Sequence, residues 1–309
     1  MTHRLTLLVL AGLTAADVWS CCMVPATYEG SIGQDAQEAV LIHRGDREEL
    51  VLRINYRIAG QRMPDRFAWV VTTPREPDAY ALADEKLFRD MFALSAKLLV
   101  PKPRRKGTRG ATDGAIPAGL ELGKRVQVGP YDIQPVRGVG PHALTGLNTW
   151  LDKNGFPAEE PDHMTYFVRN GFTFLCVRIT PPAEAEAVAG NGLLPPLHLS
   201  FQTPAPYYPL RFSSRQGVFD VNLHILTQDR LDYGRSAATL AKLNWTSQSY
   251  RRNAKVTRRT MPETLREVLG KSVWKNTPGR WHYNNVRCSQ VNRGNTISTW
   301  EEDITFATE

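Results

Sequence analysis

The 309-residue chain carries no local motif that announces its chemistry. It has no Cys-x-x-Cys, no His-x-His and no His-Glu-x-x-His spacing, so the commonest sequence-local zinc sites are excluded and no metal or cofactor is implied. It has no Gly-x-Ser-x-Gly elbow, so a serine hydrolase of that strand-turn-helix type has no support. Cysteine is scarce, at four residues. With 42% apolar residues and 9% aromatics, the core need not rest on disulfides. After the first stretch, no uncharged apolar run approaches the roughly 20 residues needed to span a bilayer. The mature chain is therefore expected to have no transmembrane helix.

Acids are missing from two stretches that hold the positive balance. Lys102, Arg104, Arg105, Lys106 and Arg109 lie in KPRRKGTR, and Arg251, Arg252, Lys255, Arg258 and Arg259 lie in RRNAKVTRR. The net charge is +7, so the remainder of the chain is net acidic. Such patches suit anionic envelope polymers or lipid headgroups, or are solvated loops. Trp245, Tyr250 and Trp274 near the second stretch add stacking surface of the kind that binds nucleic acid or glycans.

Residues 1–20, MTHRLTLLVLAGLTAADVWS, have the pattern of an export signal. Arg4 supplies the positive end, Leu5 to Ala16 the apolar run, and Ala15, Ala16 and Ser20 the small residues before a cleavage point. The mature chain is expected to begin at Cys21; a buried N-terminal helix or strand is the competing reading. Export makes a nucleic-acid partner a poor match. The same spacing is that of a lipoprotein signal, with Cys21 acylated, but Trp19 and Asp17 depart from it, and ordinary secretion is preferred. An even count of cysteines in an exported chain predicts disulfides among Cys21, Cys22, Cys176 and Cys288. The adjacent pair would strain a direct bond, and the pairing stays open. Cys176, inside FTFLCVRI, equally reads as a packed free thiol.

Ala39 to His43 and Glu49 to Ile58 read as strands about the turn Arg44-Gly45-Asp46. RFAWVVTTP fits a strand buried on both faces. Residues 80–99 take helical spacing through Leu87, Met91, Leu94 and Leu98. Further helices are expected at 142–154, stopped by Gly155, around 163–169, stopped by Gly171, and at 262–269. FTFLCVRI (172–179), LHLSF (197–201) and VFDVNLHIL (218–226) read as strands. The sum is an α+β domain dominated by antiparallel sheet over residues 21–235, followed by a C-terminal extension of uncertain structure over 236–309.

Several segments resemble, in order, the bacterial family known as domain of unknown function 2330. They are the Cys-Cys-Met-Val-Pro start, Gln34 with Ala36 and Gln37, FAWVVTTP, TWLDKNGF (149–156), the strand after Gly171, and YYPLRF (207–212). The resemblance covers about residues 21–235. It implies an exported or membrane-attached protein and assigns no activity, cofactor or catalytic residue.

The histidines are His3, His43, His142, His163, His198, His224 and His282. His198 and His224, in apolar strands, read as hydrogen-bonded core residues. Gly138-Val139-Gly140-Pro141-His142-Ala143 matches the dinucleotide fingerprint in letters only, and a turn into a Pro-started helix explains it better. Glu301, Glu302 and Asp303 read as a solvated acidic tail. Cys22 as a nucleophile is less expected than Cys22 bridged or modified. The sequence therefore favours a non-catalytic binding or structural module of the cell envelope. The alternative is a hydrolase whose site assembles only in three dimensions, with His142, His163 or His224 against a carboxylate or Cys22.

Overall fold

The computed structural model of the chain describes residues 21–60, 62–98, 121–137, 141–181, 191–243, 245, 253–270, 274, 280–300 and 302–309. Two sheets organise them. The smaller runs β1 (Cys22–Met23), β4 (Phe67–Thr73), β9 (Thr173–Ile179), β8 (Tyr131–Arg137), β6 (Glu121–Leu122), with β7 (Val126–Val128) also on β8. The larger runs β14 (Ala254–Thr257), β15 (Arg280–Val291), β13 (Phe219–Thr227), β2 (Gly30–Arg44), β3 (Arg47–Gly60), β11 (Leu197–Gln202), β5 (Ala79–Leu82), with β10 (Asn191–Leu193) also on β3. A two-stranded ribbon joins β12 (Tyr207–Tyr208) to β16 (Ile304–Thr305). Among the described residues every strand pairing is antiparallel except β13 on β2. The α+β, antiparallel-dominated reading holds.

The main core lies between the sheets. Leu50, Leu52, Ile54, Tyr56 and Ile58 of β3 meet Phe67, Ala68 and Val70 of β4 and the strands beside them. A second core lies on the opposite face of the larger sheet, where Val40, Ile42, Val51 and Trp281 pack on helices α1 (Lys86–Leu98) and α5 (Glu263–Leu269). Helices α2 (Pro141–Lys153) and α3 (Pro161–Arg169) belong to the main core through Leu147, Leu151, Met164 and Phe167. A short helix α4 (Ala237–Lys242) completes the set.

The hairpin of β2 and β3 follows from local chemistry. Arg44 pairs with Arg47 across Gly45-Asp46, and Gly45 takes φ 60°, which an L side chain resists. β2 starts nine residues earlier than the apolar pattern indicates, because its first half is polar and carries a β-bulge between Gln34 and Ala36. The helix expected over 80–99 is shorter. Residues 79–82 instead pair with β11 at the sheet edge, and Asp84 starts α1 by accepting the Lys86 N–H at 2.7 Å.

The chain past residue 235 contributes two strands to the larger sheet. β15 sits between β13 and β14 and holds the buried Asn284 and Asn285, whose amides bond to Asn253, Asn222 and the Leu223 carbonyl. The acidic tail is corrected at Asp303. That residue is 4% exposed, because its carboxylate accepts from the backbone N–H groups of Leu210, Arg211 and Ile304 and from the Tyr207 hydroxyl. Glu301 lies outside the described residues.

Candidate functional site

Helix α3 begins with Pro161 at its first position, where a missing N–H costs nothing, so the chain turns helical directly after Glu159-Glu160. That places Glu159 and His163 four residues apart on one side of the helix start. Glu159 is fixed from outside: Asn148 of α2 donates to its carbonyl at 2.9 Å and accepts its N–H at 2.7 Å. The Glu159 carboxylate Oε2 then meets His163 Nδ1 at 2.7 Å. The imidazole stacks on Phe212, ring centroids 4.6 Å apart, and its Nε2 lies 3.2 Å from Ser214 Oγ. Glu159, His163 and Ser214 are 2%, 8% and 4% exposed, so the relay is shielded from bulk water. A pocket of about 140 Å³ lies against it, lined by Asp162, His163, Arg211, Ser214, Arg215, Ile297 and Ser298.

Ser214 sits on a segment held from several sides. The buried Glu48 carboxylate, which burial pushes well above the usual carboxylate range, accepts the Tyr207 N–H at 2.8 Å. Asp303 holds Leu210 and Arg211, as described. Asn292, at φ 67°, donates to the carbonyls of Ser214 and Gly217 at 2.7 and 2.9 Å.

On the core side of the same segment lies a polar cluster within an otherwise apolar core. Gln37 donates to Gln34 Oε1 at 3.0 Å and to Ser213 Oγ at 2.9 Å, while accepting from Tyr208 at 2.6 Å. Gln216 donates to Gln34 Oε1 at 2.7 Å and accepts from the Cys21 thiol at 3.1 Å. Gln34 in turn donates to Cys22 Sγ at 3.1 Å. A space of about 20 Å³ sits among these groups, lined also by Trp69, Val70 and Phe212.

The expected disulfides are corrected: Cys21, Cys22, Cys176 and Cys288 are all buried thiols, and none is joined in a disulfide. Cys176 lies opposite Val70 of β4, which stands between it and the amino-terminal pair, and two strand spacings, about 9.5 Å, exceed the reach of a disulfide; Cys288 lies opposite Val221 in the larger sheet. Burial, and then Cys21 beside it, pushes the Cys22 thiol well above its ordinary range, which makes it a poor nucleophile. Burial also raises Cys176, and raises Cys288 to about 12.

The remaining histidines are dispersed. His198 bonds Glu49 at 2.9 Å, His43 bonds the Thr203 carbonyl at 3.0 Å, and His224 bonds Tyr283 at 2.7 Å. The side chain of His142 and all of His3 lie outside the described residues, as do Gly138 to Gly140, Lys102, Arg104, Arg105, Lys106, Arg109, Arg251 and Arg252. Lys255, Arg258 and Arg259 are exposed on and after β14. Among the described residues no cluster of His, Cys, Asp and Glu is arranged to hold a metal ion, and no helix is long and apolar enough to cross a membrane.

Of the histidines named as candidates, His163 meets a carboxylate. Glu159 and Ser214 were not anticipated from the sequence. The Glu-x-x-x-His spacing at a Pro-started helix was the available signal for the first; Ser214 had none beyond its place two residues after YYPLRF.

Residues 15–259 match the profile of a family described as "Uncharacterized protein conserved in bacteria (DUF2330)". The chain belongs to this family. Of the segments that carried the resemblance, Cys21-Cys22, Gln34, Gln37, FAWVVTTP and YYPLRF contribute to the lining of the small polar space or to the bonds around it, whereas TWLDKNGF and the strand after Gly171 do not line it. Comparison with curated proteins gives no match. Baculovirus P35 aligns with a TM-score of 0.43 at 9% identity, over 92% of this chain and 99% of that one. A mutated P35 after caspase cleavage aligns at 0.35 and 9% identity, over 82% and 94% of the two chains. At these scores the likeness says nothing of what this DUF2330 member does.

Proposed function

We propose that this DUF2330 protein is an exported bacterial envelope protein with a serine-type acyl-hydrolase site at Ser214. The observation that carries the reading is the continuous relay from Glu159 Oε2 through His163 to Ser214 Oγ, with steps of 2.7 and 3.2 Å. A carboxylate only accepts, so His163 carries its proton on Nδ1 and presents Nε2 to the Ser214 hydroxyl. Ser214 Oγ then adds to the carbonyl carbon of an ester or amide while His163 Nε2 takes its proton. That proton passes to the departing alcohol or amine, leaving an acyl-serine. Water attacks the acyl carbon, His163 takes the water's proton and returns it to Oγ, and the carboxylic acid leaves. Arg211 and Arg215 line the same pocket, Arg211 donating to the Trp300 carbonyl and Arg215 paired with Glu160, and give it a positive wall on the side where an oxyanion would develop. About 140 Å³ suits a short acyl group.

The non-catalytic reading rested on the absence of local motifs, and a relay joining residues 51 apart in sequence removes most of that support. Export itself rests on the leader pattern of residues 1–20. The buried Cys21 thiol favours ordinary secretion over a lipid anchor, since acylation would displace its bonds to the core. Anionic envelope polymers or lipid headgroups remain the partners proposed for the two basic segments.

The test is hydrolysis of p-nitrophenyl acetate and butyrate by the purified chain beside Ser214→Ala and His163→Ala. A rate above both variants supports the site, and a wild-type rate equal to theirs rejects it.

A further inference from the structure

Cys21 reaches, from the core cluster, the segment that carries Ser214, through residues other than the one that meets His163. Its thiol donates to Gln216 Oε1 at 3.1 Å and receives the Ser213 hydroxyl at 3.5 Å. Ser213 and Gln216 flank Ser214 by one and two residues. Cys21 is itself immobilised, because its carbonyl accepts the Val70 N–H of β4 at 2.8 Å. Gln34 locks the far end: its Oε1 accepts from Gln216 and Gln37, and its Nε2 donates to Cys22. Each of Cys21, Gln34, Gln37, Ser213 and Gln216 is buried, and their bonds to one another use up donors and acceptors that would otherwise be costly there.

Gln34 and Gln37 are three apart, a spacing that sends side chains to opposite faces of a regular strand. The bulge between Gln34 and Ala36 inserts one residue and turns both inward. The irregular backbone of β2 and the two cysteines thus serve one cluster, whose outer wall is the Ser213–Gln216 segment.

We infer that Cys21 is a positioning residue, which sets the Ser214 hydroxyl against His163 by holding Ser213 and Gln216 from the core. This rests on the hydrolase reading for its consequence in rate, but not for the tether itself. Because residue 21 follows the segment read as a leader, the site would be completed by the amino-terminal end of the exported chain. Any group added to the Cys21 thiol would break the hold.

The experiment compares the full chain with Cys21→Ala and Cys21→Ser, each exported and purified. One readout is the rate at which an ethyl fluorophosphonate labels Ser214, with thermal melting alongside. The other is the downfield proton resonance of His163 Nδ1–H. Loss of the bonds to Gln216 and Ser213 should slow labelling by about tenfold in Cys21→Ala. Cys21→Ser keeps a donor and should stay within about threefold. The resonance should shift in Ala and return in Ser. An Ala variant with wild-type labelling and an unmoved resonance overturns the inference. A wild type that is never labelled defeats the hydrolase reading instead, and the resonance alone then decides the tether. If Cys21→Ala does not fold, Gln216→Met takes its place, removing the Cys21 bond together with the one to Gln34. It should slow labelling by about tenfold or more and shift the resonance, while wild-type labelling with an unmoved resonance again overturns the inference.

Discussion

Ser213 and Ser214 are adjacent but serve different partners: Ser213 Oγ lies 2.9 Å from Gln37 in the core cluster, and Ser214 Oγ lies 3.2 Å from His163 beside the pocket. The pair sits at the end of a tight 3-10 turn, Arg211–Ser213, fed by the ribbon of β12 with β16. One short segment therefore links the packing between the sheets to the wall of a surface pocket. Its geometry depends on groups far apart in sequence, from Cys21 to Asp303.

Glu159 orients His163 and should contribute to turnover rather than to substrate affinity. Glu159→Gln keeps the size of the side chain but allows the amide to donate to Nδ1, which favours the wrong tautomer. Turnover should fall by about 10²- to 10⁴-fold with KM little changed. Steady-state kinetics on the short-chain ester checks this. A variant that changes KM alone would assign Glu159 to binding.

Asp303 accepts four hydrogen bonds: those from the Leu210 and Arg211 N–H groups and the Tyr207 hydroxyl tie the C-terminal segment to the Ser214 segment, and the fourth comes from its neighbour Ile304. Burial pushes its carboxyl upward, and those four donors pull the other way. Asp303→Ala leaves the donors buried without an acceptor and should cost about 3 kcal/mol or more. Urea unfolding followed by tryptophan fluorescence measures it. Stability within about 0.5 kcal/mol of wild type would mean that the tail is dispensable.

His224 should give the protein an acid-sensitive term. Burial first, and then Arg53, lowers its imidazole from 6.5 to about 3. The unfolded chain therefore binds a proton that the native state refuses. The stability gained is complete above about pH 6.5 and is lost as pH falls toward 3, amounting to a few kcal/mol. His224→Gln keeps an acceptor for Tyr283 but cannot titrate. The difference in unfolding free energy between wild type and variant should change between pH 7 and pH 4, and a constant difference would exclude His224 as the source.

Where structure follows from neighbours in sequence, the sequence was a good guide. Gly45 marks the hairpin, Gly155 and Gly171 take positive φ just after α2 and α3, and the seven residues of β4 are all buried. Tertiary partners decide the rest. Ala79–Leu82 becomes a strand only because β11 offers an edge. β15 is too polar to read as an interior strand, and Asn284 and Asn285 are tolerated there because other asparagines and a carbonyl satisfy them. The first half of β2 was hidden by its bulge, which also concealed that Gln34 and Gln37 meet. The half of the site on α3 left a trace in the Glu159–His163 spacing. Its union with Ser214 did not, since nothing local to either segment encodes their approach.

The most direct test of the account is labelling of the purified wild-type chain with a fluorophosphonate, followed by peptide mass spectrometry, beside Ser214→Ala and His163→Ala. The account predicts one adduct, on Ser214, absent from the first variant and strongly slowed in the second. A wild-type chain with no adduct on Ser214, or one labelled at the same rate without His163, would contradict it.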